Sequence, residues 1–157
     1  SALGISLWLL SQSEYHKKWS IHDVDVDIIP ALIHKQLRIY FDDQQNPVGL
    51  VTARDGGNAG YAGSNHLPTW AWLSDEAKAK LLNNEGPLEF EEWQSGKHLM
   101  FNDYIAPWGH AKAILKDLRS NVFPNETAFS LGRNPDGSIR KVYQWKGKGV
   151  KDKVVIA

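Results

Sequence analysis

The stretch Trp93-Gln-Ser-Gly-Lys-His-Leu-Met-Phe-Asn-Asp-Tyr-Ile-Ala-Pro-Trp-Gly109 decides how the rest of the chain is read. Leu99, Phe101 and Asp103 alternate with Met100, Asn102 and Tyr104, a period of two that predicts a strand. Asp103 falls near its end. The segment Tyr-Ile-Ala-Pro-Trp-Gly breaks the pattern, and Ala113, Ile114, Leu118 and Val122 then recur at helical spacing from about His110, with Pro124 just past the stop. A carboxylate at a strand-to-loop-to-helix junction is well placed for chemistry. The plainer alternative is that Asp103 bonds backbone N–H groups of the following turn.

Composition narrows the classes. With 157 residues, 42% hydrophobic and 23% charged, one domain with a sizeable core is expected. Eighteen basic and eighteen acidic residues cancel, without a long Lys/Arg run, so nothing argues for nucleic acid. The chain has no cysteine, which excludes disulfides, thiolate metal sites and a Cys-linked acyl intermediate, and fits a cytoplasmic protein. The apolar run Ile5 to Leu10 is too short to span a bilayer and has no basic flank or cleavage site, so no export signal is read. Ser1-Ala2 in place of an initiating Met points to a trimmed start. Most of the seven tryptophans are expected in the core or in a pocket wall.

Toward the N-terminus, residues 4–10 form an amphipathic helix by spacing, and Ser11 with Glu14 matches a capping box for a second helical turn. Ser13 and His16 then share one face, the geometry in which a hydroxyl supports an imidazole. The bland reading makes Ser13 a cap and His16 a surface residue. In Ile-His-Asp-Val-Asp-Val-Asp-Ile-Ile-Pro, the acids Asp23, Asp25 and Asp27 alternate with Val24, Val26 and Ile28. The glycine and closing glutamate of a calcium loop are lacking, so solvent-facing acids on an edge strand or extended loop, ended by Pro30, are expected.

His34–Phe41 and Pro47–Thr52 read as two strands of a hairpin, with Gln36 a polar residue that faces either the solvent or a cleft. Ala53 to Pro68 holds four glycines and reads as a flexible loop without phosphate-loop spacing. Ser74-Asp75-Glu76 starts a helix that continues to Leu82, and a last hairpin pairs Ala128–Arg133 with Ile139–Trp145 through Asn-Pro-Asp-Gly-Ser.

Taken together, Ser13-Glu-Tyr-His-Lys-Lys-Trp19 and the central stretch resemble the RTX toxin-activating lysine acyltransferases, the haemolysin-maturation family. Members carry LG, WL and S-x-x-H-x-x-W near the start and D-W-x-S-G-x-x-x-W-x-x-D-W-I-A-P-F-G in the middle. The matching residues here are Leu3-Gly4, Trp8-Leu9, Ser13, His16 and Trp19, then Glu92-Trp93, Ser95-Gly96 and Asp103 through Gly109. Short matches continue to about Gly147. The family's proline-valine-glycine strand leads directly into a Ser-Trp-Ala-x-Leu-Ser motif, here Thr69 to Ser74, so the Gly-rich segment at about 53–68 is an insertion, a lid or a partner-binding arm. Phe129 and Gly132 stand where the family's arginines align, with Arg133 shifted by one, so no arginine role is carried over. The chain stops at Lys-Asp-Lys-Val-Val-Ile-Ala, short of the family's C-terminal helical extension, which leaves a homodimer open.

The resemblance implies a mixed α/β fold, a GNAT-like acyltransferase sandwich with a mixed sheet flanked by helices. It also implies transfer of a fatty-acyl group from acyl carrier protein to internal lysines of an RTX protoxin. The donor is a phosphopantetheine thioester, with no bound cofactor or metal. A lysine acceptor is an ammonium with pKa near 10.4, so something must take its proton. His16 suits general-base work, with Asp103 orienting the imidazole and Ser13 supporting it. A nucleophilic His16 passing through an acyl-imidazole is the other route. Trp70, Trp93 and Trp108 are the candidate substrate-binding aromatics. Two further classes stay in view: a non-catalytic protein binding acyl chains, glycans or a partner through Trp70, Trp72, Trp93 and Trp108, and a metal-assisted hydrolase using His98 or His110 near Asp103.

Overall fold

The computed structural model describes residues 1–52, 70–102 and 104–151. Helix α1 (Ala2–Gln12) opens the chain, its first turn capped by the Ser1 hydroxyl, which accepts from Gly4 N–H at 3.2 Å. A 3₁₀ turn (His16–Lys18) leads into α2 (Ile21–Asp27) and α3 (Ile29–Ile33). Antiparallel β1 (Leu37–Phe41) and β2 (Pro47–Thr52) form the expected hairpin. Next come β3 (Ala71–Leu73), α4 (Asp75–Leu82), a 3₁₀ turn (Phe90–Trp93), β4 (His98–Met100) and β5 (Tyr104–Ile105). Helix α5 (Ala111–Asp117) ends in a π turn (Leu118–Val122), and the hairpin β6 (Thr127–Arg133) and β7 (Ile139–Lys146) closes the fold. The result is a mixed α/β architecture of two sheets, in the orders β1-β2-β5 and β3-β4-β6-β7. All the pairings are antiparallel except β4 with β6.

The central stretch does not form one strand. The chain leaves the four-stranded sheet after Met100 and joins the three-stranded sheet at Tyr104, which pairs with Val51. The period-two reading holds up to that crossing. Leu99 and Phe101 pack with Trp70, Ile114, Leu118 and Phe123 on one face, whereas Met100 joins Leu9, Leu37, Leu50, Trp93 and Phe129 on the other.

The Ser-Gly of the same stretch is fixed by backbone bonding. Ser95 and Gly96 both donate from backbone N–H to Trp72 O, at 2.8 and 3.0 Å. The Ser95 hydroxyl accepts from Ser74 N–H at 2.9 Å and donates to Glu92 O at 2.7 Å. A Cβ on Gly96 would lie 2.5 Å from Leu73 O and 2.6 Å from Ser74 Cα, so only glycine lets the turn close against β3. The motif thereby anchors the start of β4.

Three expectations are corrected. Ser11 is no cap: α1 runs through it, its hydroxyl donates to Trp8 O at 2.6 Å, and Glu14 pairs with Lys17. Residues 21–27 are helical, not extended. Ser20 and Asp23 form a reciprocal capping box, which satisfies N–H groups at the helix start that no alternation of apolar residues registers. Val24 and Ile28 then meet the core as an i, i+4 pair, and Pro30 sits in the first turn of α3, where its missing N–H costs nothing.

Candidate active site

Ser13 follows the last turn of α1 with extended φ and ψ of −90° and 125°, so the chain turns there and brings back the 3₁₀ turn that carries His16. The turn is closed by Lys17 N–H on Ser13 O and Trp19 N–H on His16 O, both at 2.9 Å. Ser13 Oγ and His16 Nδ1 lie 2.7 Å apart, a short hydrogen bond. The imidazole is buried, with 6% of its surface exposed. Tyr15 and Trp19 meet it edge-on, with ring centroids at 4.9 and 4.7 Å. A ring clamped on both sides and bonded at Nδ1 has lost most of its rotational freedom, which is what a positioned acid–base group requires.

His16 opens into a cleft of about 740 Å³, within the range of small-molecule sites. Ser13, Tyr15 and Trp19 line it from the N-terminal turn, Asp23 and Asp27 from α2, Leu88 from the segment that follows α4, Asn102 from the central stretch, and Arg133 from the end of β6. Asn102 Nδ2 donates to Asp27 Oδ1 at 3.2 Å and so ties α2 to the crossing between the sheets. The Asp23 carboxyl is held below its ordinary pKa, first by the Ser20 backbone N–H and then by the Ser20 hydroxyl. Arg133 is anchored by Nη1, which donates to Gly137 O at 2.8 Å and Asn84 Oδ1 at 2.9 Å. Gly137, with φ of 86°, makes the turn that presents that carbonyl.

Asp103 lies outside the described residues, as does the Gly-rich segment. Its chain neighbour Asn102 lines the cleft. Trp70 and Trp93 are fully buried in the two halves of the core and line neither side of this cleft. Trp108 is half exposed, 5.5 Å from Trp8 between ring centroids, in a patch on the outer face of α1. Gln36 faces neither solvent nor cleft: it is wholly buried and donates to Trp93 O at 3.2 Å. His98 pairs with Asp75 at the surface. Among the described residues, no three His, Cys, Asp or Glu side chains converge as a metal site, and no helix is long and apolar enough to cross a membrane.

Sequence reasoning missed Asp23, Asp27, Asn102 and Arg133 as cleft residues. Asp23 and Asp27 are four apart, which puts them on one helical face while Asp25 points away; the signal was Ser20 followed three residues later by Asp23. Nothing local marks Asn102 or Arg133, which reach the cleft only through the sheet crossing and the final hairpin.

Residues 1–53 and 64–146 match the RTX toxin acyltransferase family, and the gap between the two matched stretches falls inside the Gly-rich segment. The chain is 28% identical over 152 residues to the RTX-I toxin-activating lysine-acyltransferase ApxIC of Actinobacillus pleuropneumoniae, covering 97% of this chain and 77% of that protein. It is 31% identical over 145 residues to a protein-lysine myristoyltransferase, HlyC, of Escherichia coli, covering 92% and 74%. An uncharacterized protein of Synechocystis sp. is 30% identical over 136 residues, covering 86% and 81%.

Proposed function

Because the chain belongs to the RTX toxin acyltransferase family, we propose that it is a protein-lysine N-acyltransferase that moves a fatty-acyl group from acyl carrier protein to internal lysines of an RTX protoxin. The observation that carries this reading is the family match, which spans both the Ser13–His16 turn and the segment around Asp103. The names of the relatives, toxin-activating lysine-acyltransferase and protein-lysine myristoyltransferase, support the same reaction. With that reaction goes a GNAT-like reading of the mixed α/β architecture, and an acyl carrier protein donor puts the reaction in the cytoplasm.

In this mechanism the lysine amine attacks the thioester carbonyl, an amide C–N bond forms, and the C–S bond breaks to release the phosphopantetheine thiol. The ammonium gives up one proton to solvent as it becomes the attacking amine, and His16 takes the second from the nitrogen as the C–N bond forms and returns it to the departing sulfur, leaving an amide with one N–H. The Ser13 hydroxyl at Nδ1 holds the ring so that Nε2 faces the reacting atoms, and Asp103 stabilises the imidazolium. The acidic side of the cleft, Asp23 and Asp27, favours approach of the cationic acceptor.

The test is mass spectrometry of RTX toxin segments purified after co-expression with this protein and acyl carrier protein. A fatty-acyl mass on lysine, lost in His16→Ala with the variant still folded, is the expected result. A folded and fully active His16→Ala would remove His16 from the chemistry, and no added mass on any segment would overturn the reaction itself.

A further inference from the structure

An acyl chain whose carbonyl sits at His16 must leave the cleft on some side, and the sides are chemically unequal. Toward α2 and the β6–β7 turn the wall carries Asp23, Asp27 and Arg133 beside Val26, and the three charged groups would lose hydration against an alkyl chain. A second recess of about 480 Å³ begins where Asn102 and Leu131, which line the His16 cleft, also line the recess. It runs between α5, which contributes Ala111 and Leu115, and the face of the final hairpin that carries Tyr143 and Trp145.

Its walls suit hydrocarbon. Tyr143 and Trp145 lie two apart on β7 and therefore on one face of the sheet, and their rings stack at 5.7 Å with 10° between planes. The Trp145 indole N–H is already consumed, donating to Ser130 Oγ at 2.8 Å, so the ring offers the recess its carbon faces. Among the described residues, no carboxylate lines the recess and Lys112 is its one cationic lining residue. A sugar or peptide would lose its hydration there for few polar partners, whereas an alkyl chain has none to lose.

Resting on the acyltransferase reading, we propose that this recess between α5 and the β6–β7 hairpin is the subsite for the alkyl chain of the acyl group, entered past Asn102 and Leu131. Chain-length preference is then set by how far the recess runs from His16, and Ala111 is its most easily filled position, being small and exposed at the start of α5.

The experiment uses photoreactive fatty acids carrying a terminal diazirine, from octanoate to palmitate, on the whole protein. Affinity is expected to rise about fourfold per methylene until the recess is full, with cross-links in peptides from α5 and β7. Ala111→Trp should abolish that rise, while His16→Ala should leave it intact. Cross-links confined to other surfaces, absence of any chain-length dependence, or an unchanged series in Ala111→Trp would each overturn the proposal. Transfer assays on the same preparations separate the two readings. Chain-dependent binding without transfer removes the enzyme reading and leaves the subsite standing, whereas transfer with the same chain preference in wild type and Ala111→Trp removes the subsite alone.

Discussion

Ser13→Ala removes the oxygen that lies 2.7 Å from His16 Nδ1 and that also accepts, at 3.4 Å, from His16 N–H, while the Lys17 N–H bond to Ser13 O, made by the backbone, remains to close the turn. A neutral hydrogen bond of this kind contributes roughly 0.5–1.5 kcal/mol net. When the imidazole takes the acceptor's proton, Nδ1–H donates to the hydroxyl as a cation, and such charge-assisted bonds are about twice as strong. The loss in the transition state is thus about 1–2 kcal/mol, or roughly a 5–30-fold fall in kcat with a smaller change in KM. His16→Ala should cost more, about 10²–10⁴-fold, because it removes the base and not merely its support. Ser13→Thr keeps the hydroxyl, and its β-branch suits the extended backbone at this position, so it should recover most of the activity. The assay is single-turnover acyl transfer to a toxin-derived lysine peptide, with the thermal midpoint measured alongside; a midpoint fall of a few degrees is expected for a loss near 1 kcal/mol. The reasoning fails if Ser13→Ala matches wild type in kcat, or if Ser13→Thr is no better than the alanine variant.

Asp23→Ala dismantles the capping box of α2 and should cost about 0.5–2 kcal/mol at neutral pH. Since the Asp23 carboxyl is depressed by its bonds to Ser20, the stabilisation is complete above the ordinary carboxylate pKa of about 4 and fades as pH falls through the lower folded value. Urea unfolding of wild type and variant should therefore converge in acid, and a gap that persists at the lowest pH at which the protein folds would contradict the assignment. The two tryptophans of the central stretch should separate cleanly. Trp93→Ala, at a wholly buried site, should cost about 3–5 kcal/mol, while Trp108→Ala, at a half-exposed one, should change stability by less than about 1 kcal/mol. Equal thermal shifts in the two variants would refute that division of core from surface.

Local chemistry in the sequence was enough for α1, α4, α5 and both long hairpins. Each is specified by features within a few residues: spacing at 3.6 or 2, Ser74 ahead of two acids, and Asp-Gly in a tight turn. The Ser13–His16 pair was legible from its spacing of three, although the two meet by another geometry than a shared helical face: Ser13 is extended and its hydroxyl reaches forward to the backbone N–H and the ring of His16.

What the sequence left open was decided between distant residues. Residues 21–27 alternate in the manner of a strand, yet Ser20 caps them as a helix and Ile28 is drawn wholly into the core. Gln36 and Trp93, 57 residues apart, are buried against each other. Of the aromatics read as a substrate surface, Trp70 and Trp93 were taken by the core, because an indole buried in full removes more apolar area from water than one left at a rim. The cleft is itself a tertiary product. It exists because the chain passes from one sheet to the other after Met100, which brings Asn102 beside Asp27 and sets both across from His16. Sequence fixes which side chains can do the chemistry; packing decides which of them share a space.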